Sequence, residues 1–107
     1  MKLIITIVSK DDTSSVMKEL VKHQFFVTKL ASSGGFLRSG NTTLMIGTND
    51  DCVDQAISII TEFSKSRKEL VPNSIISDFG LISSVPIEVN IGGATLFVID
   101  VEKFLKV

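Results

Sequence analysis

His23 and Cys52 are the single histidine and single cysteine of the 107-residue chain, which narrows its chemistry before any fold is considered. A histidine acting as a general base needs a carboxylate to orient it or a nucleophile to activate, and neither lies near His23 in sequence. His23 reads instead as a helix-end residue over the last carbonyls. Cys52 falls about one turn into a helical stretch, where a lowered thiol pKa is physically possible. With no second partner it reads as a small packing or surface residue. One thiol and one imidazole exclude both an internal disulfide and a Cys/His zinc site. The acidic groups Asp11-Asp12 and Asp50, Asp51 and Asp54 sit where helices begin, so negative charge at a helix N-terminus explains them without a metal or a carboxylate pair. No catalytic constellation emerges.

The Gly34-Gly35-Phe36-Leu37 run is of another kind, because two glycines let the backbone approach a ligand closely while placing an aromatic ring in a loop. Two readings stay open. Phe36 is tucked into the core or a subunit contact, or it belongs to a lid and stacks on a planar ring, an interaction worth about 1–3 kcal/mol for a nucleobase. Asn41, just beyond, carries the donor and acceptor needed to read a base edge. Gly92-Gly93 reads first as a hairpin turn whose backbone amides could also face an anion.

The elements that must position these residues follow from periodicity. Leu3-Ile4-Ile5-Thr6-Ile7-Val8 is a β-branched run bounded by polar residues, hence a strand. Asp11, Asp12 and Thr13 offer helix caps, and Val16, Met17, Leu20 and Val21 recur at helical spacing as far as about His23. Residues 25–31 and 41–46 read as strands two and three, joined by a glycine- and serine-rich connection over 32–40. Val53, Ala56, Ile57, Ile60 and Phe63 trace one face of a second helix, capped by Asn49 or Asp50 and ending near Lys65 or Arg67. Residues 68–85 read as one long loop, a length associated with function or mobility. Residues 87–91 and 94–99 read as two strands of a hairpin, and 101–104 as a short helical turn. The order, strand-helix-strand-strand-helix-strand plus an appended strand, predicts one α+β domain over 1–107 with a ferredoxin-like βαββαβ core. Its helices cover one sheet face. The other face is too apolar to stay in water, which predicts a closed cyclic oligomer.

Composition supports a folded domain. The chain is 44% hydrophobic and 21% charged, with 11 basic and 12 acidic residues and a net charge of -1, so no positive field favours nucleic acid. No apolar run approaches the about 18 residues of a membrane span, and the N-terminus lacks a signal-peptide pattern, so a cytoplasmic location without membrane insertion is expected.

Met1-Lys2-Leu3-Ile4-Ile5, Val27-Thr28-Lys29-Leu30-Ala31-Ser32, Gly34-Gly35-Phe36-Leu37, Ser39-Gly40-Asn41-Thr42-Thr43, Met45-Ile46-Gly47 and Gly92-Gly93-Ala94-Thr95 with Phe97-Val98 span nearly the whole chain. In these motifs the sequence resembles the PII-like cyclic di-AMP receptor proteins of Gram-positive bacteria. The resemblance implies a homotrimer with one cyclic di-AMP in each cleft between neighbouring subunits. Carried over residue by residue, it places the ligand site on Thr28, Gly35, Phe36, Leu37, Asn41 and Gly47, with Gly92, Gly93 and Phe97 approached from the adjacent subunit or strand. In that picture Thr28 donates to phosphate or base, Phe36 stacks an adenine and Asn41 bonds its edge. The chain departs from the pattern at Phe26, where family members usually carry a ligand-binding arginine, in a shorter long loop without the proline-methionine-glycine-glycine stretch, and in a tail without the usual glutamine. Lys29 or Arg38 would then have to supply the missing charge.

The function so implied is a signal-transduction module, not an enzyme, which senses cyclic di-AMP and reports it to an unidentified partner protein by ordering its loops; no cofactor is called for. The alternative is a PII-type sensor of ATP or ADP, for which only Lys29 and Arg38 lie near the site as phosphate partners. An enzyme acting on cyclic dinucleotides would need paired metals held by His and Asp, which one His and dispersed Asp do not provide.

Overall fold

The computed structural model describes residues 1–30, 40–71 and 87–107. Strand β1 (Lys2–Ser9) alternates along its length, with Ile4, Thr6 and Val8 buried and Leu3, Ile5 and Ile7 half-buried. It is the central strand, flanked by β3 (Asn41–Thr48) and β6 (Ala94–Asp100), both antiparallel to it. Strand β2 (Phe26–Leu30) pairs with β3, giving the order β2-β3-β1-β6. This is the ferredoxin-like order, and two helices with antiparallel sheets agree with the expected α+β class.

Helices α1 (Thr13–Lys22) and α2 (Val53–Phe63) lie on the same sheet face. Val16 and Leu20 from α1, with Ala56, Ile59 and Ile60 from α2, pack on Ile4, Val8, Leu44 and Ile46 to form the core. Burying each large aliphatic side chain contributes about 1.5–3 kcal/mol. Helix α1 ends in a Schellman motif: the Phe25 amide donates to the Leu20 carbonyl and the Gln24 amide to the Val21 carbonyl, each over 2.9 Å. Gln24 takes the left-handed conformation, φ +68°, that glycine usually fills there. His23 Nδ1 donates to the Glu19 carbonyl over 2.9 Å, the helix-end role its position suggested. Against the sequence expectation, a carboxylate does stand near it: the Glu19 Oε1 lies 3.8 Å from Nδ1, one helical turn back.

Several boundaries differ from the sequence expectation. Residues 87–91 and 94–99 do not form a hairpin. Strand β5 (Ile87–Ile91) pairs instead with β4 (Arg67–Val71) in a separate two-stranded sheet, while β6 joins β1. The strand that completes the ferredoxin-like sheet is therefore the last one, and the added pair precedes it. The expected loop over 68–85 accordingly begins as strand β4; the rest of it, within 72–86, and most of the 32–40 connection, within 31–39, lie outside the described residues.

Gly92 and Gly93 explain the switch between sheets. Both hold positive φ, +83° and +85°, and the Gly93 amide donates to the Ser64 carbonyl just past α2. A Cβ on Gly92 would meet the Lys65 carbonyl oxygen at 2.5 Å, so only glycine lets the chain pass. Asp12 is likewise not simply a dipole partner of α1. Its carboxylate, 8% exposed, accepts two hydrogen bonds from the Arg67 guanidinium at 2.8 and 3.2 Å, tying the base of β4 to the start of α1. That pairing raises the Arg67 pKa above its ordinary value. No side-chain cap bond is made by Asp12 or by Asn49, which precedes a 3-10 turn (Asp50–Cys52) containing Cys52. Helix α2 stops at Phe63, before Lys65 and Arg67, and the Ser64 hydroxyl donates back to the Ile60 carbonyl there. Residues 101–104 form no helix, because the Val101 amide donates to the Met1 carbonyl over 3.2 Å and extends the β1–β6 ladder.

These geometries separate two neighbouring substitutions. Gly93→Ala meets nothing closer than 3.9 Å and should cost only its backbone strain, about 1–2 kcal/mol. Gly92→Ala adds a backbone collision and should lower the urea midpoint distinctly further.

Candidate functional site

Residues paired directly across strands share a face, so the registers define rows across the sheet. Phe26, Gly47, Leu3 and Ile99 form one row on the face opposite the helices; Thr28, Met45, Ile5 and Phe97 form the next; Leu30, Thr43, Ile7 and Thr95 the third. This face is mostly apolar and no helix among the described residues covers it, as the strand composition predicted. Phe26 is 86% exposed and Phe97 and Ile99 are close to half exposed, an arrangement unusual for large apolar side chains on one contiguous surface.

The expected site residues Thr28, Gly47 and Phe97 all lie on this open face, and Asn41, two residues before Thr43 on β3, shares it. They do not all gather into one pocket: Thr28 and Gly47 line the same cavity, and Asn41 and Phe97 are not among its walls. Asn41 and Gly47 are six residues apart on β3, hence about 20 Å apart at the rise of an extended strand. Asn41 pairs with Ser9 and Ala94 with Val8, so Asn41, Gly92 and Gly93 mark one end of the sheet and Gly47 the other. Gly35, Phe36 and Leu37 lie outside the described residues, as does Arg38. Lys29 pairs with Leu44 and belongs to the helix-side face, so it does not supply a cation to the open face.

At the Gly47 end lies a cavity of about 790 Å³ walled by Met1, Leu3, Phe26, Thr28, Met45, Gly47, Val101, Phe104, Leu105 and Lys106. Its walls are largely apolar, and Lys106 is the one cationic side chain among them. A second cavity of about 330 Å³ adjoins it, lined by Met1, His23, Gln24, Phe25, Phe26, Gly47, Thr48, Asn49, Cys52 and Gln55. Gly47 forms part of both walls, and a Cβ there would touch only the flexible end of Met1, at 3.4 Å. The Met1 ammonium is held 2.8 Å from the Asp50 carboxylate, whose pKa the ammonium's hydrogen bond draws below 3.8. Among the described residues no three His, Cys, Asp or Glu side chains converge as a metal ion would require.

The sequence reading missed the tail residues Phe104, Leu105 and Lys106 as cavity walls. The signal available was the apolar Phe104-Leu105 pair itself; in the fold these side chains are 62% and 74% exposed and stand outside the core.

Comparison with known proteins decides what this scaffold belongs to. The sequence profile of the cyclic-di-AMP receptor family matches residues 1–107, the whole chain. The protein belongs to the cyclic-di-AMP receptor family. It is also similar to a functionally unknown protein from Pediococcus pentosaceus ATCC 25745, at 36% identity over 99% of this chain and 96% of that one, with a TM-score of 0.77. A receptor family is one of binding proteins rather than catalysts. Among the described residues no helix is long and apolar enough to cross a membrane.

The Asp50 carboxyl gives a direct check on the N-terminal wall of both cavities. With its folded pKa lowered, its contribution to stability is present above 3.8 and lost as the pH falls through the lower folded value. A carbon-detected NMR titration should place its midpoint below 3.8, and acetylating the Met1 amine should return it toward that value.

Proposed function

We propose that the protein is a trimeric signal-transduction receptor that binds cyclic di-AMP between subunits and reports it to a partner protein by ordering its loops. The observation that carries this reading is the open apolar face, which holds Thr28, Asn41, Gly47 and Phe97 but separates Asn41 from Gly47 by about 20 Å. Residues so far apart in one subunit can meet a single ligand when neighbouring subunits bring opposite ends of the sheet together. The same association removes the exposed Phe97 and Ile99 from water. Thr28 then donates to phosphate or base, Asn41 bonds an adenine edge, and Gly47 lets the ligand approach the backbone. Gly35, Phe36 and Leu37 complete the site in this proposal, with Phe36 stacking a base, and Gly92, Gly93 and Phe97 come from the adjacent subunit or strand. No cofactor beyond the ligand is involved, and a cytoplasmic location suits a receptor of an intracellular messenger.

The largely apolar walls of the 790 Å³ cavity favour a dinucleotide with two bases over ATP or ADP, whose phosphates call for several cations. Isothermal titration calorimetry should show saturation by cyclic di-AMP at one ligand per subunit, with far weaker heats from cyclic di-GMP, ATP and AMP. Binding of ATP in place of cyclic di-AMP would transfer the protein to the adenine-nucleotide sensors. Asn41→Ala removes one or two hydrogen bonds and should weaken cyclic di-AMP roughly tenfold with the melting temperature unchanged. Gly47→Ala, which the fold accommodates by a small shift of Met1, should weaken it as well.

A further inference from the structure

Asp12 carries a carboxylate only 8% exposed that neither the apolar core nor the proposed ligand site uses. It sits in the short turn between β1 and α1, and that turn is bonded in two directions. On one side the Lys10 amide donates to the Gly40 carbonyl over 2.6 Å, next to Asn41, whose partner on β1 is Ser9, where the turn begins. On the other side the Asp12 carboxylate accepts from both terminal nitrogens of Arg67, the first residue of β4. Within the turn the Ser9 carbonyl accepts from the Asp12 amide and the Thr13 hydroxyl, each over 3.0 Å, which ties its two ends together. We propose that the turn over 9–12 is a relay: a ligand bound at Asn41 sets the order of the β4–β5 ribbon through the Asp12–Arg67 pair.

This inference rests on the cyclic di-AMP reading and adds the path by which binding is reported. A relay needs an element with two states whose balance both sites bias. The ribbon is such an element, because among the described residues β4 and β5 pair only with each other, and a two-stranded sheet is marginal in water. Its root is where the bias acts. Arg67 stands opposite Ile91, and a Cβ on the next residue, Gly92, would lie 2.9 Å from Arg67 Nη1 and 3.2 Å from Asp12 Oδ2. The ion pair therefore holds the foot of both strands. Its two parallel hydrogen bonds fix the angle of the guanidinium as well as its position. Farther along the ribbon, Lys68 and Glu88 are 3.6 Å apart and both exposed, a contact that joins the strands to each other and not to the body.

Amide hydrogen exchange of the full chain over residues 68–70 and 88–91, with and without cyclic di-AMP, tests this together with titration calorimetry. Saturating ligand should slow ribbon exchange by about 5- to 150-fold, the range of typical couplings between sites. Asp12→Asn removes the charge and should leave ribbon exchange fast and unresponsive to ligand, with the amides of β1 and β3 as protected as before. Because linkage is reciprocal, this variant should also bind cyclic di-AMP more weakly, by the same factor by which the ligand slows the ribbon in the unaltered protein. A merely structural carboxylate would not produce that equality. Arg67→Lys keeps the charge but loses the fork, and should fall between the two proteins on both readouts; it carries the test if Asp12→Asn does not fold. Unchanged affinity in a variant whose ribbon has loosened would show site and ribbon to be independent and overturn the relay. Ribbon exchange in the unaltered protein that ignores bound cyclic di-AMP would overturn it too, with the receptor reading intact. Failure of the unaltered protein to bind cyclic di-AMP at all would overturn that reading, and this inference with it.

Discussion

The arrangement of this protein follows from a four-stranded sheet that receives α1 and α2 on one face. Val16, Leu20, Ala56, Ile59 and Ile60 bury Ile4, Val8, Leu44 and Ile46, and this single layer of contact closes the core. The strands alternate strictly, so every residue placed toward the helices sends its neighbours to the other side. Those neighbours are Leu3, Ile5, Ile7, Met45, Phe97 and Ile99, residues with no reason to face water. In the proposed function, binding surface and assembly surface are both consequences of this one patterning constraint.

A second constraint concerns how the small β4–β5 sheet is attached. The chain leaves the core after α2, forms β4, and returns through β5 to Gly92-Gly93 before entering β6. At the crossing, Gly92 passes the Lys65 carbonyl, Gly93 is bonded to Ser64, and Arg67 grips the nearly buried Asp12 carboxylate with two nitrogens. A buried carboxylate without its partner is costly, so the pair fixes where the small sheet joins the body more than it adds net stability. Gly92 and Gly93 are thus required by the fold itself, and any contact they make with a ligand is superimposed on that role.

Much of the architecture could be read from periodicity. The β-branched run at 3–8 and the helical spacing of Val16, Leu20, Ala56 and Ile60 report burial directly, and burial is what sets those elements. The pairing of residues 87–91 could not be read that way. Gly-Gly between two apolar runs is the local signature of a hairpin, but here the long-range register of β6 with β1 prevails over it. Arg67 looked like a helix end and Lys68-Glu69 like the start of a loop, because their charges are satisfied away from the apolar core, by Asp12 for Arg67 and by Glu88 for Lys68. Of the proposed site, Thr28, Asn41 and Gly47 were named through resemblance, and that they share one face follows from the strand registers of the fold. The smaller cavity was not legible, because Gln24, Asn49 and Gln55 come from three separate segments that only the folded chain brings together.

The central claim is that the open sheet face is buried by association of three subunits. Light scattering on the eluting peak of a size-exclusion column measures this directly. The account predicts a mass three times that of the 11.6 kDa chain, maintained on dilution to low micromolar concentration. A monomer would contradict it, because the apolar face would then stand in water and the residues at its two ends could not meet on one ligand.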